Sequence, residues 1–197
     1  RRAADLGDGL GRLALNQTGT SVSLSEESPP TFGFRLKSMV NTLNGGTVVG
    51  PDGVPRAVSI NLTAALSVGQ TITLELSLPD GSSESITLVA REAGQPGAPE
   101  SGFVIASDLV GTAANLRAAL AAAIGDKAQT ALAAASSVVA AQDFFAATDD
   151  APARRIAGPP FETATGFAVA GSRPTMQWYD GDGDLGLSAR QTQLATI

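Results

Sequence analysis

The chain has 197 residues, 43% of them hydrophobic, a formal net charge of −6, and neither His nor Cys. A chain of this length buries roughly 70% of its unfolded surface without covalent staples. The missing residue types exclude a disulfide scaffold, thiolate metal sites and any histidine base, and the acidic balance argues against nucleic acid, whose phosphates need clustered Lys and Arg.

The only basic doublets, Arg1-Arg2 and Arg154-Arg155, do not extend into patches. No run of 18 apolar residues is present, so no membrane-spanning helix is expected. The opening Arg1-Arg2-Ala-Ala-Asp5 shows neither an initiator Met nor a signal peptide, and it reads as the interior of a longer protein. Aromatics are only 5% and charged residues 16%, which predicts a thin core of Leu, Val, Ile and Ala under a Ser/Thr/Gly/Asn surface.

Leu13 and Leu15, then Val22 and Leu24, alternate around Asn16-Gln-Thr-Gly19, predicting two short strands joined by a turn. Glu26 to Pro30 is a polar break. Phe32, Phe34 and Leu36 alternate again, predicting a strand with one aromatic face. Asn44-Gly-Gly46 and Gly50-Pro-Asp-Gly53 are turn signals around Val48-Val49. The clearest element is a hairpin. Ile72, Leu74, Leu76 and Leu78 lie on one face, Pro79-Asp-Gly81 supplies the turn, and Ile86, Leu88 and Ala90 resume that face. After the Pro/Gly-rich stretch 93–101, Phe103-Val-Ile105 predicts a further short strand.

The period then becomes helical. Thr112 is the candidate N-cap, Leu116, Leu120 and Ile124 recur every four residues, and Gly125-Asp126 predicts a break. A second helix follows through Leu132, Ala135, Val139 and Phe145 to about residue 147, ended by Asp149-Asp-Ala-Pro152. Alanine supplies nearly half of residues 112–147, which favours helix and lets it lie close to a sheet. A Pro-rich link at 154–161 leads to one or two strands between Gly166 and Tyr179. Together these predict an α+β fold with mostly antiparallel sheet and an Ala-rich helix pair packed on one face. The whole of 1–197 reads as a single domain, with a β-rich part at 1–60, a hairpin and two helices at 61–147, and a return segment at 148–197.

Candidate chemistry is sparse. Asp180-Gly-Asp-Gly-Asp184 alternates carboxylates with Gly as a Ca²⁺ loop does, but Leu185 and Gln191 stand where that loop needs Gly and Glu. A solvated acidic turn is the simpler reading. Glu26-Glu27 point to opposite faces of a strand, and Glu75/Glu84 and Glu92/Glu100 flank a hairpin and a loop, so neither set suits paired acid/base work. A Ser–Lys arrangement would need Lys37 or Lys127 beside a serine, and Ser38 faces away from Lys37. Asn16-Gln-Thr18 and Asn61-Leu-Thr63 match a glycosylation triplet that arises readily by chance. Trp178-Tyr179 reads as an anchor to the core, or as a cover for a junction with further helices. The residues therefore predict no catalytic, cofactor-binding or metal site.

Several stretches, in order, resemble the middle of alphaproteobacterial flagellins and flagellar hook-associated proteins. They are Gly11-Arg-Leu-Ala-Leu-Asn-Gln17, Ser21-Val-Ser-Leu24, Phe32-Gly-Phe-Arg-Leu36, and Leu78-Pro-Asp-Gly-Ser-Ser-Glu-Ser-Ile-Thr-Leu88. Thr112-Ala-Ala-Asn-Leu-Arg-Ala-Ala-Leu120, Asp143-Phe-Phe145, Arg154-Arg-Ile-Ala-Gly-Pro-Pro-Phe161 and Trp178-Tyr179 follow. The resemblance implies the surface-projecting central region of an extracellular flagellar subunit, of the filament or the hook–filament junction. It implies a non-catalytic protein that joins neighbouring subunits through terminal core helices absent from this chain. On its own, such a region is expected to be a monomer or weak oligomer, with its two ends, residues 1–5 and 190–197, close together. The contrasting expectation is a bacterial or phage surface adhesin module, for carbohydrate or Ca²⁺.

Overall fold

The computed structural model describes residues 1–95, 101–147 and 154–168. Leu13–Thr18 (β1) and Ser21–Glu26 (β2) form the first hairpin, with Gly19 at φ 57 in its turn. β2 then pairs with Ala57–Leu62 (β5), and β5 with Gly46–Asp52 (β4), giving an antiparallel sheet in the order β1-β2-β5-β4. The period of two sends Leu13, Leu15, Val22, Leu24, Val58, Ile60 and Leu62 inward. Asn16 and Asn61, the glycosylation-triplet residues, stand on the exposed side, where Asn61 Oδ1 accepts a bond from Thr20.

The second sheet is built from Arg35–Asn41 (β3), Thr71–Ser77 (β6), Ser83–Arg91 (β7) and Gly102–Val104 (β8), in the order β3-β6-β7-β8. Its β6–β7 pair is the expected hairpin, with Thr73 opposite Thr87 outside and Ile72 opposite Leu88 inside. β8 runs parallel to β7, so the sheets are antiparallel but for this short edge. Leu36, Leu74, Leu76, Leu88 and Phe103 complete the inner face. Each such side chain contributes about 1.5–3 kcal/mol by leaving water.

The strand expected around Phe32 and Phe34 begins only at Arg35. Gly33 adopts φ 81 and breaks the alternation, so the two rings do not share a face. Phe34 enters the main core, and Phe32 joins a small second core with Ala4 and Ala164.

The two predicted helices are one continuous run: Leu109–Lys127 (α2), a π-helical turn at Ala128–Leu132, and Ala133–Phe145 (α3). Asp108, not Thr112, caps it, its side chain accepting the Gly111 N–H at 2.7 Å. Thr112 is buried one turn later. Its hydroxyl donates to the Asp108 carbonyl and accepts the Ala106 N–H. Gly125-Asp126 does not stop the helix, because a lone Gly costs only about 1 kcal/mol against Ala and the core favours continuation. Residues every four positions drift about 40° around a regular helix. The wider i→i+5 turn resets this, so Leu116, Leu120, Ile124, Ala128 and Leu132 are all buried.

α2 touches β7 and β8 of one sheet and β1 and β2 of the other, so both sheets and the helix share one core. The stretches 1–60 and 61–147 meet in it. β3 and β4, joined by residues 42–45, are also in contact and link the two sheets. None of the helices among the described residues is long and apolar enough to cross a membrane.

The exposed edge of β3 is blocked from further pairing. The Leu36 N–H donates to Glu26 Oε1 at 2.8 Å and its carbonyl accepts from Arg56 at 2.9 Å, beside a bulge between Leu36 and Ser38. On the β6–β7 turn, the Ser82 hydroxyl and then its backbone N–H donate to Asp80 and hold that carboxyl below the ordinary aspartate range. A depressed pKa means that this stabilisation is complete above the unfolded pKa and is lost as pH falls through the folded one. We expect Ser82→Ala to move the Asp80 midpoint upward in a carboxyl NMR titration. An unmoved midpoint would mean the hydroxyl bond is not formed in solution.

Candidate functional site

The densest polar cluster lies where Arg2–Leu6 (α1), the loop 7–12, the loop 27–35 and the return segment 154–168 meet. The return segment carries Arg155–Ile156 (β9), a 3-10 turn at Phe161–Thr163 and Phe167–Ala168 (β10), with β9 and β10 antiparallel. Asp5 is fully buried. One oxygen accepts the Gly33 N–H at 2.9 Å and the other accepts Arg1 Nε at 3.0 Å.

Arg12 is 6% exposed and takes φ 67, unusual for a side chain with a Cβ. That conformation aims its guanidinium at three acceptors: Glu27 at 2.9 Å, the Glu162 carbonyl, and the Ala164 carbonyl at 2.8 Å. Thr31 adds a bond to the Thr165 carbonyl. Arg35 donates to the carbonyls of Pro30, Phe32 and Phe34. Burial lowers its pKa, while Glu26 and Asp5 oppose the shift. It stays cationic at neutral pH, since arginine ordinarily titrates far above it.

Aromatic contacts complete the joint. Phe32 meets Phe167 edge-on at 5.4 Å, Arg1 lies over the Phe32 ring at 5.7 Å and Arg154 over the Phe167 ring at 5.3 Å. Arg1, Arg12 and Arg35 thus answer Asp5, Glu26 and Glu27. Buried charges arranged this way are tolerated because each is paired or hydrogen-bonded, and removing one partner is costly. The arrangement holds segments together.

The carboxylates considered as acid/base pairs are engaged separately. Glu26 holds the β3 backbone and Glu27 holds Arg12. Glu75 lies 3.4 Å from Lys37, and Glu84 lies 2.8 Å from Lys127, tying the helix to β7. Lys37 Nζ also reaches the Ser83 hydroxyl at 3.5 Å, at a solvent-exposed position already shared with Glu75. Among the described residues no cluster of three or more Asp or Glu could hold a metal. Glu100, Asp149-Asp150, Trp178-Tyr179, the 180–184 loop and residues 190–197 lie outside the described residues.

Composition did not single out Arg12 or Asp5. The available signal was a lone cation set behind Gly7, Gly9 and Gly11 and directly before an apolar strand. We expect Arg12→Ala to cost about 1–3 kcal/mol through the carbonyls it leaves unpaired and to speed tryptic cleavage after Arg154 and Arg155. Arg12→Lys should not rescue it, because an ammonium lacks the planar fork. Unchanged cleavage in both variants would show that other contacts hold the segment.

Beside this joint, an open cleft of about 600 Å³ separates α1 and the end of α3 from the return segment. Arg1, Ala140, Arg154, Arg155, Ile156 and Phe161 are among its walls. Compared with protein-family models, curated proteins and solved structures, the chain matches none of them.

Proposed function

We propose that this chain is a non-catalytic structural domain, the outward-projecting region of a bacterial flagellar subunit, of the filament or the hook–filament junction. The observation that carries the proposal is the joint itself. Buried Arg12 fastens the return segment 154–168 to the loop before β1 through the Glu162 and Ala164 carbonyls, and buried Asp5 ties the first helix to Gly33, which supports a module anchored at that end. Ser- and Thr-bearing outer strand positions, a continuous core and separately engaged carboxylates fit a rigid spacer on an extracellular polymer. The ordered set of flagellin-like stretches gives the assembly. Neighbouring subunits would be its partners, contacted through core helices outside this domain.

Immunogold labelling tests the reading. Antibody raised against the 197-residue chain should decorate flagella of the source bacterium, along the filament or at the hook junction. Label confined to the cell body would sink the proposal. In the parent gene, long heptad-patterned helices are expected on both sides of the domain.

A further inference from the structure

Two hydrophobic cores meet at the joint. The small one holds Ala4 of α1, Phe32 of the 27–35 loop and Ala164 of the return segment, with Ile156 and Phe167 packed against it. The sheets and the long helix enclose the large one. A polar link joins them: Arg12, directly before Leu13 of the large core, donates to the Ala164 carbonyl of the small one.

α1 and the loop are fastened to the body without the return segment. Asp5 accepts the Gly33 N–H, Arg1 pairs with Asp143 of α3 at 3.6 Å, Leu6 packs on the large core and Phe34 lies inside it. The return segment is attached more sparsely. Of residues 154–168, only Ala164 is buried. The segment is held by side-chain donors on its carbonyls, Arg12 to Glu162 and Ala164 and Thr31 to Thr165, and by Phe167 on Phe32. Its β9–β10 ladder and the Arg154 contact with Phe167 are internal, and a two-stranded ladder on its own is marginal in water. The open cleft runs along one side, with Arg154, Arg155 and Phe161 in its wall. Every ordered residue costs conformational entropy, and a segment that buries so little opens before the core does.

We propose that residues 154–168 are a strap that opens as one unit while both sheets, the long helix and α1 stay folded. Opening uncovers Ala4 and Phe32, leaves Arg12 to Glu27 alone, and merges the cleft with the newly bared face. The domain therefore has two states, strapped and unstrapped, and the Arg12 and Thr31 bonds set their ratio. The inference does not depend on which assembly the domain serves.

Amide hydrogen exchange on the full chain, followed residue by residue by NMR across a urea series, tests this. Ala157 and Ala164 donate backbone bonds inside the strap, at 3.1 Å to the Gly166 and Phe161 carbonyls. Both amides should be protected and should share one opening constant. They should exchange many-fold faster than the amides of β6, with a shallower urea dependence, since opening the strap exposes little surface. Thr31→Val removes one bond to the strap and should speed both amides by roughly two- to tenfold, the worth of one hydrogen bond. Arg12→Ala should act in the same direction and further. Ile72→Val lies in the large core, away from the joint. It should speed the β6 amides by roughly two- to tenfold and leave Ala157 and Ala164 unchanged, because the strapped and unstrapped states both keep that packing. Strap amides that exchange at the β6 rate with the β6 urea slope, or that Ile72→Val accelerates equally, would overturn the proposal by making the domain one cooperative unit. Strap amides with no protection at all would overturn it too, as would rates indifferent to both Thr31→Val and Arg12→Ala.

Discussion

Phe34→Ala will lower the unfolding free energy by about 3–5 kcal/mol. Phe34 has no exposed surface, although it precedes its strand and sits in a loop. Its ring packs closely against Gly11. A Cβ built on Gly11 would come within 2.3 Å of Phe34 Cδ2 and 2.9 Å of Leu132 Cδ2. One side chain thus connects the loop before β1, the approach to β3 and the π turn of the long helix. Truncation opens a cavity between rigid elements, and backbone held by the Phe34 N–H to Gly11 carbonyl bond cannot collapse into it. Typical domains hold only about 5–15 kcal/mol in total, so the loss should be obvious in urea. The midpoint should fall with an unchanged m-value, the sign of lost stability without a changed denatured state. Phe34→Leu should cost far less. A loss below about 1.5 kcal/mol for Phe34→Ala would mean that the site repacks around the missing ring.

How much of this was legible in the sequence depends on the range of the interaction. The β1–β2 and β6–β7 hairpins were, because alternation and turn residues act locally. So was the helical character expected over 112–147, from its alanines and four-residue repeat, which the structure shows over 109–145. β5 carries the alternation Val58, Ile60, Leu62, yet it sits directly behind Pro55 and a cluster of turn signals that mask it. The predicted break at Gly125-Asp126 was a local signal overruled by packing on both sides. The parallel β7–β8 pair has no local signature, since residues 92–101 separate the two strands in sequence and parallel pairing is not set by a tight turn. The joint was the least legible part. Arg12 finds its carbonyl partners 150 and 152 residues away, and no spacing rule predicts contacts at that distance. Its cause is visible only once the first helix and the return segment are side by side.

Gly33→Ala is the second large effect, and it tests that joint from the backbone. Gly33 has φ 81, where a residue with a Cβ is strained by about 1–2 kcal/mol. Strain alone is not the main term. The added Cβ would sit 2.2 Å from the Gly11 carbonyl oxygen and 2.7 Å from the stem of Arg12. The oxygen belongs to backbone already fixed by its bond from Phe34, so it cannot swing aside. Relieving the clash means moving the 31–35 loop, which breaks the Gly33 N–H to Asp5 bond and leaves a buried carboxylate short of a donor. Overpacking of this kind costs typically about 1–3 kcal/mol, so the sum should reach roughly 2–5 kcal/mol. Gly81→Ala supplies the control. Gly81 has φ 87 but nothing within 4 Å of its added Cβ, so it carries the strain without the clash. The two variants should therefore differ in urea midpoint, and Gly33→Ala alone should expose the Arg154–Arg155 bond to trypsin. Equal losses in both would show that the loops at Gly11 and Gly33 part easily and that the joint is softer than its geometry implies.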